Sequence, residues 1–363
     1  MKIDEEILEQ FYHIMGRNMS DNIGVKLSVI KDSEYDVNAR IIKTLDNEYL
    51  LKISSGLFDG IINKVIELIE RYDDNDYLWF SILSENDTIN FMNKIIDWND
   101  IEKDEIKKTY LINLFTSLII RNVIFHETAH IIGKHLESDT EFLEYDGRNV
   151  GNIEVQCKEM FADYVATKML LSTLYDFFEK EFVKDSQFYL NDDIETKAIR
   201  HIFVVGFLTL YFQFNINSRD TIITFDTNHP DKKVRLLYCL LTFRDEIISW
   251  SKDEEIKEGQ FNVEDIFDFL FIKEILPYIS FFLYLSNLDF DKIMTKEVVN
   301  HYFSLVDYSG EKDNEGKAGF LSAIDESYKH SVKNFIERVS SPKPYGMEWY
   351  TEISNALKNS VDD

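Results

Sequence analysis

The chain has 363 residues, 45% apolar and 29% charged, a composition that supports a sizeable packed core and excludes an intrinsically disordered protein. Acidic side chains outnumber basic ones 66 to 39, for a formal charge of −27. Such a surface repels phosphate backbones and anionic headgroups, so no nucleic acid and no membrane is expected as a partner, whereas a basic protein partner is compatible with it.

Only 13 glycines and 4 prolines punctuate the chain, which favours long helices over many short strands. A first helix is expected over residues 4–15, capped by Asp4, with Ile7, Phe11 and Ile14 on one stripe, and stopping at Gly16. Residues 23–54 change character. The segments GVKLSVI and NARIIKTLDNEYLLKIS alternate apolar and polar residues, with a turn at Leu45-Asp46-Asn47. They predict a small antiparallel sheet near the N-terminus.

From Leu57 onward the periodicity is helical. Helices are expected at about 57–71, 87–97, 105–136, 153–183, 192–216 and 231–251. The charged stretch Ser251–Gln260 reads as a linker, followed by helices at about 261–287, 293–305, 321–338 and 347–358. The expected class is mainly α with a small β-sheet (α+β), divided into residues 1–258 and a helical C-terminal region, 259–363, of unassigned role. The run Ile202–Phe212 is too short to span a bilayer, and Ile266–Phe290 is interrupted by Lys273, Glu274 and Pro277. With two cysteines, Cys157 and Cys239, and no apolar leader-like segment, a cytoplasmic location is expected.

Chemistry concentrates at residues 126–130, His-Glu-Thr-Ala-His. On a helix, positions i and i+4 share a face, so His126 and His130 can meet one Zn²⁺, while Glu127 between them can act on a water as general base without ligating. Such a site needs a third protein ligand. A longer histidine motif fails, because position 136 is Leu136 and His135 stands one residue out of register. His135 is expected as a solvated side chain at the helix end. A better third ligand is Glu159 in Cys-Lys-Glu-Met-Phe-Ala-Asp-Tyr-Val-Ala (157–166). Asp163 shares its helical face and can hold the far nitrogen of a ligand histidine. Ala162 and Ala166 are small enough to let the two helices approach closely. Two acids four apart also occur on ordinary solvated helix faces, which is the plainer account of Glu159 and Asp163. His13, His201, His301 and His330 lack partners at ligand spacing and are expected in core or surface roles.

HExxH followed by Glu-x-x-Ala-Asp resembles the gluzincin metallopeptidases, and in particular the M48-like peptidases. Asn38-Ala39 with Ile53-Ser54-Ser55-Gly56-Leu57 is similar to a segment of that family, as is His229-Pro230 followed by Arg235. The resemblance covers about residues 35–245. In length and cytosolic character the chain also resembles the soluble Lit-type peptidases of phage exclusion, but it lacks the membrane helices common among M48-like enzymes. The resemblance implies a zincin-like core and one catalytic Zn²⁺ held by His126, His130 and Glu159. It implies that the 37–54 hairpin borders a peptide-binding cleft. It also implies that His229 and Arg235 lie near the metal, stabilising an oxyanion or holding Asp163 or Glu159. The expected activity is zinc-dependent endopeptidase cleavage of a cytosolic protein or peptide substrate. The alternatives are a non-catalytic zinc-binding regulatory protein on the same fold and a metal-free helical scaffold.

Overall fold

A computed structural model describes residues 5–33, 35, 38–73, 103–136, 153–183, 202, 205–214, 230–253, 295–313 and 333. The expected helices at 87–97, 261–287 and 347–358, that at 321–338 apart from residue 333, the linker beyond residue 253, and His229 lie outside the described residues. The described residues are mostly helical, with one small three-stranded sheet among them near the N-terminus.

Helix α1 (Glu5–Ile23) runs on past Gly16, where the sequence suggested a stop. A mid-helix glycine is tolerated there because the helix lies against strand β1 (Lys26–Asp32): a Cβ on Gly16 would stand 3.0 Å from the Leu27 carbonyl oxygen. The stop falls at Gly24, whose φ of +69° suits a residue without a side chain. Ser20 ties the turn together, donating to the Gly16 carbonyl (2.7 Å) and accepting from the Leu27 N–H (2.8 Å).

Strands β2 (Ala39–Leu45) and β3 (Glu48–Ser54) form the expected hairpin, with Asn47 in the left-handed region at φ 59°. The sheet order is β1-β3-β2. β3 pairs antiparallel with β2 (Ile41 opposite Leu51) but parallel with β1 (Val29 opposite Leu51), so the sheet is mixed rather than antiparallel. Burial explains the order. β3 buries Tyr49, Leu51, Ile53 and Ser54 and takes the centre, whereas the side chains of β2 are mostly exposed and it takes an edge.

Helix α2 (Ser55–Asp73) is capped by Ser54, whose hydroxyl accepts the Leu57 N–H at 3.0 Å and the Asn38 N–H at 3.0 Å. The two short segments around Asn38 and Ser54, 16 positions apart, are thereby joined. Helices α3 (Lys103–Ile132) and α4 (Ile153–Val183) pack closely, with Ala162 and Ala166 of α4 fully buried. Helix α5 (Lys232–Asp253) lies against α4, and α6 (Lys296–Asp313) lies against both. Val298, Tyr302 and Leu305 of α6 belong to the same apolar core as α3 to α5. Residues 205–214 are helical and bury Phe207, Leu208 and Phe212. No helix among the described residues is long and apolar enough to cross a membrane.

Candidate metal centre

The last two turns of α3 carry His126 and His130 on one face, and α4 presents Glu159 and Asp163 four residues apart. All four are at least nine-tenths buried. Nε2 of His126 lies 3.3 Å from Glu159 Oε2, and Nε2 of His130 lies 3.6 Å from Glu159 Oε1. The ligand atoms of the three residues all lie within 4.8 Å of one another. Both imidazoles therefore turn the same nitrogen toward one carboxylate.

The opposite nitrogens each face a polar partner. His126 Nδ1 stands 3.0 Å from Asp163 Oδ1, and His130 Nδ1 stands 2.9 Å from Nδ1 of His135. Asp163 is gripped by Arg235 in a forked pair, with Nε donating to Oδ2 and Nη2 to Oδ1, both at 2.7 Å. Arg235 sits in the first turn of α5, one turn after Asp231, whose carboxylate caps the Lys233 N–H at 2.8 Å. Its guanidinium lies over the Phe214 ring, 4.8 Å from the centroid. Position and orientation of Arg235 are thus fixed by a helix start, a carboxylate and an aromatic face.

Burial opposes charge on His126, but the adjoining carboxylates, Asp163 first and then Glu159, outweigh it and push the imidazole up to about 10. His130 moves the other way, down to about 3, because burial and the neighbouring charge of His126 both disfavour a second imidazolium. Burial raises Asp163, yet the charge and hydrogen bonds of Arg235, with those of His126, hold it below the ordinary carboxylate range. His135 is held down to about 4 by burial and by Lys158. Among these groups, two carboxylates face one guanidinium, and the missing positive charge is a proton on His126 or a cation between the three ligands.

Two buried imidazole nitrogens and a buried carboxylate oxygen form a group that can hold a metal ion. Of the five residues of the HExxH segment, only Glu127 is not buried, so this is where the segment meets solvent. Comparison with protein-family models, curated proteins and solved structures gave no match.

The structure brings His126, His130, Glu159, Asp163 and Arg235 together, with Glu127 alongside on α3. Arg235 contacts Asp163. His135 is not a solvated side chain. It is half-buried, folded back on His130 and edge-on to Phe161 of α4 (centroids 5.3 Å apart). The signal was present in the helix-ending sequence that follows His130. His301, with no ligand spacing in sequence, pairs with Gln156 at 2.9 Å and joins α6 to α4.

Proposed function

We propose that the protein is a zinc-dependent endopeptidase of the gluzincin type, acting on peptide bonds of a protein or peptide substrate. The convergence of His126, His130 and Glu159 beside a solvent-reaching Glu127 carries this reading. Two ligands at 2.0–2.2 Å from a tetrahedral ion stand about 3.3–3.6 Å apart. Each imidazole nitrogen lies at about that distance from one oxygen of the Glu159 carboxylate, His126 Nε2 3.3 Å from Oε2 and His130 Nε2 3.6 Å from Oε1. Two imidazoles and one carboxylate suit zinc as well as Fe(II), and the HExxH spacing, with Glu127 beside the first ligand, favours zinc.

When bound, zinc supplies Lewis acidity that activates a water and polarises the scissile carbonyl. Glu127 takes a proton from the attacking water and delivers it to the leaving amine as the C–N bond breaks. Asp163 keeps the His126 ring turned so that Nε2 faces the centre, and Arg235 keeps Asp163 ionised and in place. The exposed edge strand β2, which packs beside α3, supports a peptide substrate, because an extended chain can add to it through backbone hydrogen bonds.

Glu127→Gln tests the assignment. Zinc content should be unchanged and cleavage should fall by about 10²-fold or more. Full activity in that variant removes Glu127 from the mechanism. A second reading has one observation in its favour. Without metal, His126 is held as an imidazolium between two carboxylates, a self-sufficient ionic cluster of the kind a non-catalytic protein can keep. Metal analysis of protein purified without added zinc, and a cleavage assay with and without chelator, separate the two.

A further inference from the structure

Helix α3 ends in a reciprocal cap. The His135 N–H donates to the His130 carbonyl (3.0 Å) and the Lys134 N–H to the Ile131 carbonyl (3.0 Å), with Lys134 in the left-handed region at φ 54°. This is the Schellman arrangement, in which the second residue past the helix comes back over the residue five before it. That contact is ordinarily apolar. Here it joins two imidazoles, Nδ1 to Nδ1 at 2.9 Å.

We propose that His135 is the positioning residue for His130: its Nδ1 accepts the N–H of His130 Nδ1 and so keeps the lone pair of His130 on Nε2. This rests on the zinc reading given above. A neutral imidazole carries one N–H, and two bare nitrogens at that separation repel, so one ring donates and the other accepts. Only with His130 as donor is its Nε2, the atom turned toward Glu159, able to ligate. The proton of His135 then sits on Nε2. Gly133 makes room for this ring: a Cβ there would stand 2.4 Å from His135 Nε2 and 2.8 Å from Cε1. Phe161, two residues beyond Glu159 on α4, closes the other side with its edge-on contact. The sequence Gly-Lys-His after the second ligand therefore acts as a supporting arm of the site.

Two substitutions separate positioning from packing. His135→Asn offers an amide oxygen near the place of Nδ1, and His135→Phe keeps a ring with no acceptor. The full-length His135→Phe variant should bind zinc about 10–100-fold more weakly than the unaltered protein, and His135→Asn should stay within about threefold. Metal-free thermal midpoints of both should stay close to the original. The ¹⁵N shifts of the His130 ring in metal-free protein should report a proton on Nδ1, and His135→Phe should lose that preference. Zinc binding by His135→Phe within threefold, equal weakening by both variants, or a His130 ring with bare Nδ1 in the unaltered protein overturns the proposal. If His135→Phe does not fold, Gly133→Ala displaces the same ring and should weaken zinc comparably. An unaltered protein that takes up no zinc defeats the metallopeptidase reading alone, since the ring shifts still decide which imidazole donates.

Discussion

Arg235→Met is the most informative single perturbation of the scaffold behind the site. Asp163 is 3% exposed, and its carboxylate takes both forked hydrogen bonds from Arg235. Removing the guanidinium leaves a buried carboxylate that faces, among the described residues, His126, and breaking a buried pair in this way costs about 3–5 kcal/mol. Against a total of about 5–15 kcal/mol, that is a large fraction of the folding free energy. Asp163→Asn removes the complementary charge while keeping the shape and one oxygen. Denaturant unfolding of the metal-free protein, followed by circular dichroism, should show Arg235→Met losing about 3–5 kcal/mol. The double variant should be less damaged than the sum of the two single changes, by about 1–3 kcal/mol of coupling. A loss under about 1 kcal/mol for Arg235→Met, or strict additivity of the two changes, would refute the claim that this pair holds Asp163 as an ion.

His126→Ala and Glu159→Gln should each reduce zinc from about one ion per chain to near none, read by elemental analysis, since three protein ligands are the working minimum. The two histidines have opposite pH signatures in the metal-free protein. His126, raised from 6.5 to about 10, stabilises the fold fully below pH 6.5 and loses that contribution as pH rises toward 10. His130, lowered from 6.5 to about 3, contributes above pH 6.5 and loses its contribution as pH falls toward 3. Since His126 is protonated at pH 7, zinc binding there should release about one proton, and calorimetry showing no dependence on buffer ionisation enthalpy would contradict this. Lys134→Gly should stabilise the protein by about 0.5–1 kcal/mol in thermal unfolding, because φ 54° strains a residue with a side chain. Destabilisation by that change would mean Lys134 makes a contact worth more than the strain.

Short-range chemistry determined what could be read from the residues in order. The i, i+4 spacing of His126 and His130, the same spacing of Glu159 and Asp163, the Asp46-Asn47 turn and the long helices α3 and α4 each depend on a dozen neighbours or fewer. Apolar periodicity and local hydrogen bonding decide such features within the segment that carries them. The fold-back of His135 was also local, written in a helix-ending cap. Register against a longer histidine motif says nothing of it, because the cap bonds of Lys134 and His135, and not ligand spacing, turn the ring back. The tertiary structure alone decided the rest. It set β3 between β1 and β2, carried α1 past Gly16 along β1, and brought Arg235 to an aspartate 72 positions away. Those outcomes follow from which buried surfaces meet, and a pairing between distant segments leaves no periodic trace in either one.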